Sequence, residues 1–393
     1  MSEGAARPMG FGIVGAGWMG HVHARAITRV RHHFPDIAIA PTVTAVADTL
    51  DSHRRDFQTR HGQVTEYSDW RGLIGDPDVD VVCVTAPNSL HRQIGVAAAE
   101  AGKHLWIEKP VGLGSDDVDA VRASVTSAGV RAVVGFNYRN FPAVERARDL
   151  IRSGAIGVPT NAHLRTLADY AADPAGVLSW RFSTEQGGHG VLADLGSHGF
   201  DLMRFLVGDI EALVATTGTF IDRRPLAAPG SSHFAVVDID DPSVEFGTVE
   251  NEDYLSTLVL TASGARVTYE ASRTSVGDQC TYGFTVHGTR GQVSWDFRRS
   301  DELVVAAADS YQDVATQRFF GTPGYGEYAR FQPGAGNAMG YDDSKVIELA
   351  RLLQAITTGV DHGATLDDAY LAARANEAAI ESARTGAWVR VTD

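Results

Sequence analysis

A short apolar run, residues 11–14, passes directly into Gly15-Ala16-Gly17-Trp18-Met19-Gly20, and a helix-like stretch follows over 21–30. No other feature limits the fold as much. A GxGxxG string alone is weak, but between a strand and a helix it marks the first turn of a βαβ unit that binds a dinucleotide. Gly15 permits the tight turn, Gly17 lets the backbone approach a pyrophosphate, and Gly20 lets the helix pack close to the strand. The free amides at the helix start then face the phosphates. Trp18 and Met19 lie inside the turn and join the cofactor-binding candidates. The alternative, a turn that merely connects two elements, does not account for the flanking pattern.

The rest of the first third repeats that unit. A strand over 43–47 ends at Asp48, and the β-branched run 79–85 reads as a buried parallel strand. An Ala-rich helix over 89–101 closes at Gly102, and the strand 104–107 carries Glu108-Lys109-Pro110 at its C-terminal end. Ser115 reads as the N-cap of another helix, with Asp116 and Asp117 in its first turn, and 131–136 is one more strand. Beyond this the pattern changes. A helix over 143–153 precedes strands at 161–166, 212–221, 255–261, 266–271, 284–287, 292–297 and 303–307. A helix over 194–207 interrupts them, and two more, 343–358 and 366–385, end the chain. The stretch 321–340, rich in Gly, Pro and aromatics, reads as a long loop, a common place for function.

At 393 residues the chain exceeds the ~250–300 that one core usually serves. The expectation is a Rossmann domain with a doubly wound parallel sheet over 1–137. An α+β domain with an open, mostly antiparallel sheet and helices follows over 138–393, for substrate binding and oligomerisation. A net charge of −15 repels nucleic acid and anionic membrane, so neither is expected as a partner. No apolar run approaches the ~20 residues of a membrane span. Two cysteines, Cys83 and Cys280, build no disulfide framework and fit a reducing compartment. Residues 1–8 read as a loose tail without a signal-peptide core, so a cytoplasmic location is expected.

Asp48, at the end of the second strand, is placed to accept bonds from adenosine ribose hydroxyls and to repel a 2′-phosphate, which favours NAD over NADP. The interval from Gly20 is longer than usual, and the insertion 32–41 accounts for it. Arg54 and Arg55 follow closely and keep NADP open. The alternative for Asp48 is a solvated acid at a strand end.

Four stretches in order resemble one family: Gly15-Ala16-Gly17-Trp18-Met19-Gly20-His21-Val22-His23, Thr85-Ala86-Pro87-Asn88-Ser89-Leu90-His91, Glu108-Lys109-Pro110, and Asp194-Leu195-Gly196-Ser197-His198-Gly199-Phe200-Asp201. They resemble the Gfo/Idh/MocA oxidoreductases, the glucose–fructose oxidoreductase and inositol dehydrogenase family, over nearly the whole chain. The resemblance implies an NAD(P)-dependent dehydrogenase or reductase of sugars, inositols or related polyols. It implies that Lys109 lies beside the nicotinamide and the reacting alcohol, with Asp194 and His198 as the other catalytic positions. Thr85, Pro87, Asn88, His91 and Glu108 would line the cofactor. A homodimer or homotetramer, paired through sheet faces, is also implied. Trp180-Arg181-Phe182, Asp169, Ala172-Asp173-Pro174 and Met203-Arg204-Phe205-Leu206-Val207-Gly208 resemble the levoglucosan dehydrogenase-like members, which oxidise a ring hydroxyl of an anhydrosugar or glycoside.

The residues fit that chemistry. Oxidising a secondary alcohol needs a base within hydrogen-bond reach of the hydroxyl as hydride leaves carbon. On an α-helix Asp194, His198 and Asp201 share a face. His198, with an ordinary pKa of ~6.5, suits proton transfer in both directions. Asp194 would orient the imidazole or hold a substrate hydroxyl. Lys109 would stabilise the developing alkoxide or, deprotonated, act as the base itself. The sequence leaves His198 and Lys109 open as proton acceptor, and a solvated helix face, a core histidine and a surface lysine remain the bland alternatives. Trp180, Tyr138 and Tyr170 are candidates for the flat surface against a sugar. Arg139, Asp169, Arg181, His189 and Asn137 are candidates for its polar contacts, with Tyr325 or Gln332 added from the loop. His21-x-His23 and His32-His33 lack a cysteine or carboxylate at ligand spacing, and no metal is expected. Two other functions stay open: glycoside cleavage through transient oxidation by bound NAD, and a non-enzymatic NAD-binding regulator.

Overall fold

The computed structural model describes residues 6–227 and 235–391. It divides into two units, one of residues 1–140 and 339–370, the other of 141–338 and 371–393. This differs from a single boundary after residue 137. The returning segment 339–370 groups with the N-terminal sheet, because its helix is amphipathic and finds its packing partner there.

The first unit is a six-stranded parallel sheet of β1 (Arg7–Val14), β2 (Ile39–Ala47), β3 (Thr65–Tyr67), β4 (Val81–Val84), β5 (His104–Ile107) and β6 (Ala132–Val134). The spatial order is β3-β2-β1-β4-β5-β6, so the strand order reverses between β1 and β4. Ligands of such sheets bind outside the carboxyl ends of the strands at that switch. Every residue of β4 is buried, as expected of a strand covered on both faces. Helices α1 (Trp18–His33), α2 (Asp51–His61), α3 (Trp70–Ile74), α4 (Asn88–Glu100) and α5 (Ser115–Ala128) connect the strands. Arg7 and Pro8, expected in a loose tail, begin β1, while residues 1–5 lie outside the described part. The elements α2, β3 and α3 went unread because α2 buries only Phe57 and β3 spans three residues, too little for a visible period. Ser115 is not the cap of α5 but its first residue. The preceding Gly114 holds the cap position, and the Asp117 carboxylate takes the Leu113 amide at 2.8 Å.

The second unit opens with α6 (Pro142–Arg152) and holds β7 (Pro159–Leu167), β8 (Ile210–Gly218), β9 (Arg223–Pro225), β10 (Phe246–Thr248), β11 (Tyr254–Thr261), β12 (Arg266–Ser272), β13 (Thr281–Gly288), β14 (Gly291–Asp296), β15 (Glu302–Ala307), β16 (Gln317–Phe320) and β17 (Val389–Arg390). Nine form one sheet in the order β16-β15-β14-β13-β7-β12-β11-β8-β17. Only β7 and β12 run parallel there; the other neighbours are antiparallel. Alternation sets its two faces. Leu255, Thr257 and Val259 of β11 and Val267, Tyr269 and Ala271 of β12 point to the buried side, under α7 (Ser197–Leu206). The segment 321–340 carries only α8 (Tyr328–Phe331), and two helices follow it, α9 (Tyr341–Thr358) and α10 (Leu366–Thr385). Among the described residues no helix is long and apolar enough to cross a membrane.

Candidate active site

In the first unit the glycine turn has the shape a pyrophosphate requires. Gly15 sits at φ +97°, and a Cβ there would stand 2.7 Å from the Thr85 carbonyl oxygen. A Cβ on Gly20 would meet the Gly15 oxygen at 2.3 Å, so the helix could not come as close. A Cβ on Gly17, by contrast, would meet nothing within 4 Å, which leaves open space before the start of α1. No side chain caps that helix start, so its amides stay available to an anion. These observations fit a dinucleotide. Trp18 is exposed, with its ring 5.4 Å from Tyr341, and Met19 follows it in the first turn.

Asp48 reaches into the same turn. Its Oδ2 accepts the Ala16 amide at 2.9 Å and its Oδ1 the Leu50 amide at 2.9 Å, with His53 Nδ1 at 3.3 Å. A carboxylate has about four acceptor positions, so capacity remains for ribose hydroxyls. Arg54 is committed elsewhere, to the Asp48 carbonyl oxygen, Asp51 and Glu66, and Arg55 pairs with Asp51. The two arginines that kept a 2′-phosphate open are therefore engaged by acids of the protein.

The loops after β4 and β5 are tied together. The Thr85 hydroxyl bonds the Val14 and Gly15 carbonyl oxygens at 2.9 and 2.7 Å. Pro87 precedes α4 and the buried Asn88 begins it. His91 was expected to line the cofactor, but its ring nitrogens lie 2.7 Å from the Pro110 and Ala86 oxygens. It clamps one loop to the other. Lys109 stands half-buried between Glu108 and Pro110. The Glu108 carboxylate, also expected at the cofactor, turns inward: its Oε1 lies 2.9 Å from His23 Nε2 and 2.5 Å from Lys345 Nζ. Sequence reading missed this because a buried lysine on a distant helix decides it. Tyr138 and Arg139 lie buried in a 3₁₀ turn, Asn137–Asn140, where Arg139 pairs with Asp368 at 3.0 Å and Asn137 donates to Ser344 Oγ at 3.2 Å. Arg139 is thus paired within its own unit, whereas the buried Oδ1 of Asn137 has no hydrogen-bond partner among the described residues.

His23, Glu108 and Glu348 form the one group of three ligand-type side chains among the described residues close enough to share an ion. The Lys345 ammonium bonds both carboxylates, so a protein cation already serves them.

Burial pushes the His23 imidazole down to about 4, against the opposing pull of Glu108. The unfolded chain, at ~6.5, therefore takes up a proton that the folded chain refuses. The stabilisation is complete above pH ~6.5 and is lost as pH falls through that value toward 4, amounting at most to about 3 kcal/mol. His61, also lowered to about 4 by burial first, adds in the same direction. His23→Gln is expected to flatten the loss of stability between pH 6.5 and 4.5 without abolishing it. Urea midpoints measured across that range are the check, and equal slopes for variant and parent would refute the assignment.

The second unit holds Asp194 and His198, and the helix they share differs from expectation. It begins as a π-turn, Leu192–Gly196, before the α-helical part. The Ser197 amide reaches back five residues to the Leu192 carbonyl oxygen, so α spacing does not run unbroken from Asp194 to Asp201. Groups outside the turn hold it. Glu252 accepts the Leu192 amide on its carboxylate at 3.0 Å and the Val191 amide on its carbonyl at 2.8 Å. The Tyr269 hydroxyl donates to the Leu195 carbonyl at 3.0 Å and accepts from Thr166 at 2.7 Å. Gly199 makes room for that tyrosine, because a Cβ there would fall 2.1 Å from its ring. Asp194 is half-buried, and its Oδ2 accepts the Tyr170 hydroxyl at 2.6 Å. Burial and that carboxylate hold the Tyr170 phenol well above 10. Tyr170 is thus a polar partner of Asp194, not only a flat surface. His198 is buried in the first turn of α7, and Asp201 is buried one turn on.

Trp180 carries the Arg181 guanidinium over its ring at 4.3 Å, and Asp169 and His189 are half-buried. Two buried arginines stack on Phe182, Arg224 at 4.4 Å and Arg273 at 4.5 Å. Arg273 pairs with the buried Asp253 at 2.8 Å, and Arg224 donates to the Asp173 and Ala171 carbonyls. These residues brace the segment carrying Asp169, Tyr170 and Trp180. Sequence reading passed over them, since a buried arginine and a surface arginine look alike in one chain. Tyr325 stacks with Arg146, and Gln332 closes its own loop on the Ala338 carbonyl.

Comparison with known proteins agrees with both halves. Residues 9–136 match the profile described as oxidoreductase family, NAD-binding Rossmann fold, and residues 144–294 match the GFO/IDH/MocA C-terminal domain. Levoglucosan dehydrogenase of Pseudarthrobacter phenanthrenivorans is 35% identical over 386 residues, 97% of this chain and 97% of that protein. The chain belongs to the Gfo/Idh/MocA oxidoreductase family. Inositol 2-dehydrogenase of Rhizobium meliloti is 26% identical over 377 residues, 95% of this chain and 96% of that protein. Among solved structures, levoglucosan dehydrogenase in complex with NADH and levoglucosan superposes with a TM-score of 0.91 at 32% identity, covering 98% of this chain and 100% of that one. As a Gfo/Idh/MocA member the chain is an NAD-dependent oxidoreductase, a hydride-transfer enzyme with its cofactor domain in the first unit.

Proposed function

We propose that this oxidoreductase oxidises a ring secondary hydroxyl of an anhydrosugar or a closely related pyranoside, with NAD as cofactor. One observation carries the substrate class: the 35% identity to levoglucosan dehydrogenase runs over 97% of both chains and so spans the cofactor half and the substrate half alike. Bound NAD supplies the hydride acceptor. His198 removes the hydroxyl proton as the C–H hydride leaves, and returns it in the reverse direction. Asp194, with the Tyr170 hydroxyl on its Oδ2, orients substrate or imidazole. Lys109 stabilises charge developing on the alkoxide oxygen. Asp48 selects NAD. The reading assigns the enzyme to the cytoplasm, where Cys83 and Cys280 stay reduced.

The test follows NADH formation over anhydrosugars, pyranosides, free pyranoses and inositols. The highest kcat/KM is expected on an anhydrosugar, at least tenfold lower with NADP than with NAD. A preference for an inositol would overturn the substrate class, and NAD binding without turnover on any member would overturn the dehydrogenase reading. We also read the outward face of the nine-stranded sheet as the seat of a second copy of the chain. It carries facing charges, with Arg318 paired to Glu302 and Arg165 near Asp296, and exposes Leu258. Sedimentation giving only a 42.0 kDa species would refuse that.

A further inference from the structure

We propose that Lys345 and Glu348 of α9 are positioning residues for Lys109, acting through the carboxylate of Glu108. The proposal rests on the reading of Lys109 as a catalytic group.

The cluster is wholly inside the first unit and buried. Lys345 and Glu348 are at most 1% exposed, His23 and Trp106 are at 0%, and Glu108 is at 5%. The Lys345 ammonium lies 2.5 Å from Glu108 Oε1 and 2.8 Å from Glu348 Oε1. Glu348 also accepts the Trp106 indole N–H at 2.7 Å on Oε1, and Asn140 Nδ2 lies 3.4 Å from its Oε2. His23, from the helix that follows the glycine turn, meets Glu108 at 2.9 Å and stacks on Trp106 at 3.6 Å. Helix α9 thus grips the end of β5 at two alternate positions, Trp106 and Glu108, and the next residue is Lys109. On its other side the Pro110 oxygen lies 2.7 Å from the His91 ring. Lys109 therefore leaves a backbone segment pinned both before and after it.

Stability alone does not explain ionic groups here. A buried ion pair is often no more stabilising than well-packed apolar residues of the same volume. What the ions add is direction: one ammonium, fixed by two carboxylates, holds Glu108 in one orientation. A displacement of about 1 Å at a reacting group can cost ~100-fold in rate, so a rigid support behind such a group has kinetic value. The charges agree. The Lys345 ammonium and the His23 bond hold Glu108 well below the carboxylate range, although burial alone would raise it. Glu108 and Glu348 hold the Lys345 ammonium protonated against its burial. Burial pushes Glu348 up to about 7, against the pull of Lys345. The groups facing Glu348 are Lys345 on its own helix, Trp106 and Glu108 from β5, His23 from α1 and Asn140 from the 3₁₀ turn. Burial first, and then the charge of Glu108, push the Cys83 thiol of β4 up.

The test uses the full chain saturated with NAD, with Lys345→Met, Glu348→Gln and Lys109→Met made in parallel. For Lys345→Met, kcat is expected to fall about 10- to 100-fold, with sugar KM and the NADH Kd each within about twofold of the parent. Glu348→Gln keeps an acceptor for Trp106 and Lys345 but no longer titrates. Its kcat is expected to lose a change near pH 7 that the parent shows. Parent-like kcat and pH profiles in both variants overturn the proposal, as does a Lys345→Met enzyme changed only in KM or NADH Kd. Where Lys345→Met does not fold, the Glu348→Gln profile decides alone. Full turnover by Lys109→Met removes the catalytic reading and this proposal with it. Loss of turnover by Lys109→Met beside parent-like Lys345→Met and Glu348→Gln removes only this proposal.

Discussion

His198→Ala is expected to lower kcat by ~100- to 10,000-fold, the range that a positioned acid–base group contributes. Lys109→Ala should lose a comparable factor, while the Kd for NADH stays within about threefold in both. The two residues have different reasons to matter. The His198 imidazole is buried in the first turn of α7, and imidazole is the side chain whose ordinary pKa suits proton transfer near neutral pH. Lys109 stands at the carboxyl end of β5, on the edge of a parallel sheet where such folds hold their ligands. A pH profile separates them as proton acceptors. Where His198 is the base, its alanine variant loses the acid limb of kcat/KM, and Lys109→Ala keeps that limb at a lower rate. Parent-like turnover in either variant removes that residue from the chemistry.

The second large effect concerns stability. Asp253→Ala is expected to cost about 3–5 kcal/mol, because it leaves Arg273 as a buried charge without its carboxylate. Asp253 is fully buried and Arg273 nearly so, with 2.8 Å between them. The same carboxylate accepts the Phe220 and Ile221 amides at 2.8 and 3.1 Å, so the substitution also strands two backbone donors. Arg224, also stacked on Phe182, raises the positive charge that Asp253 offsets. Asp253→Asn keeps an acceptor for the amides and should cost less than Asp253→Ala. Urea unfolding of the three proteins is the measurement, and a cost below about 1 kcal/mol for Asp253→Ala would show the pair to be hydrated in solution. Because the pair braces the segment with Tyr170 and Trp180, sugar KM is expected to rise in Asp253→Asn.

Much of the fold was open to reading from the chain alone. The glycine turn, the β-branched run of β4 and the Glu-Lys-Pro stretch each span only a few consecutive residues, and short-range patterns specify them. The strands β11 to β15 were placed from the chain as well, with alternation visible over 266–270 in β12. What short-range patterns left open was settled by distant partners. The π-turn under Asp194 is held by Glu252 and Tyr269, both more than fifty positions away. Glu108 and His91 belong to the expected motifs, and Lys345 and the Pro110 carbonyl engage their polar atoms. Arg139, a candidate sugar contact, pairs with Asp368, 229 positions on.

The sequence by itself determined the order of elements, the dinucleotide turn and the acid–base residue types, because each depends on neighbours along the chain. Only the tertiary structure decided which charged groups are spent inside the protein, how the helix of Asp194 and His198 is wound, and that α9 belongs with the first sheet. Those outcomes depend on burial and on partners hundreds of residues apart, and the free energy of a buried charge is set by what surrounds it in space.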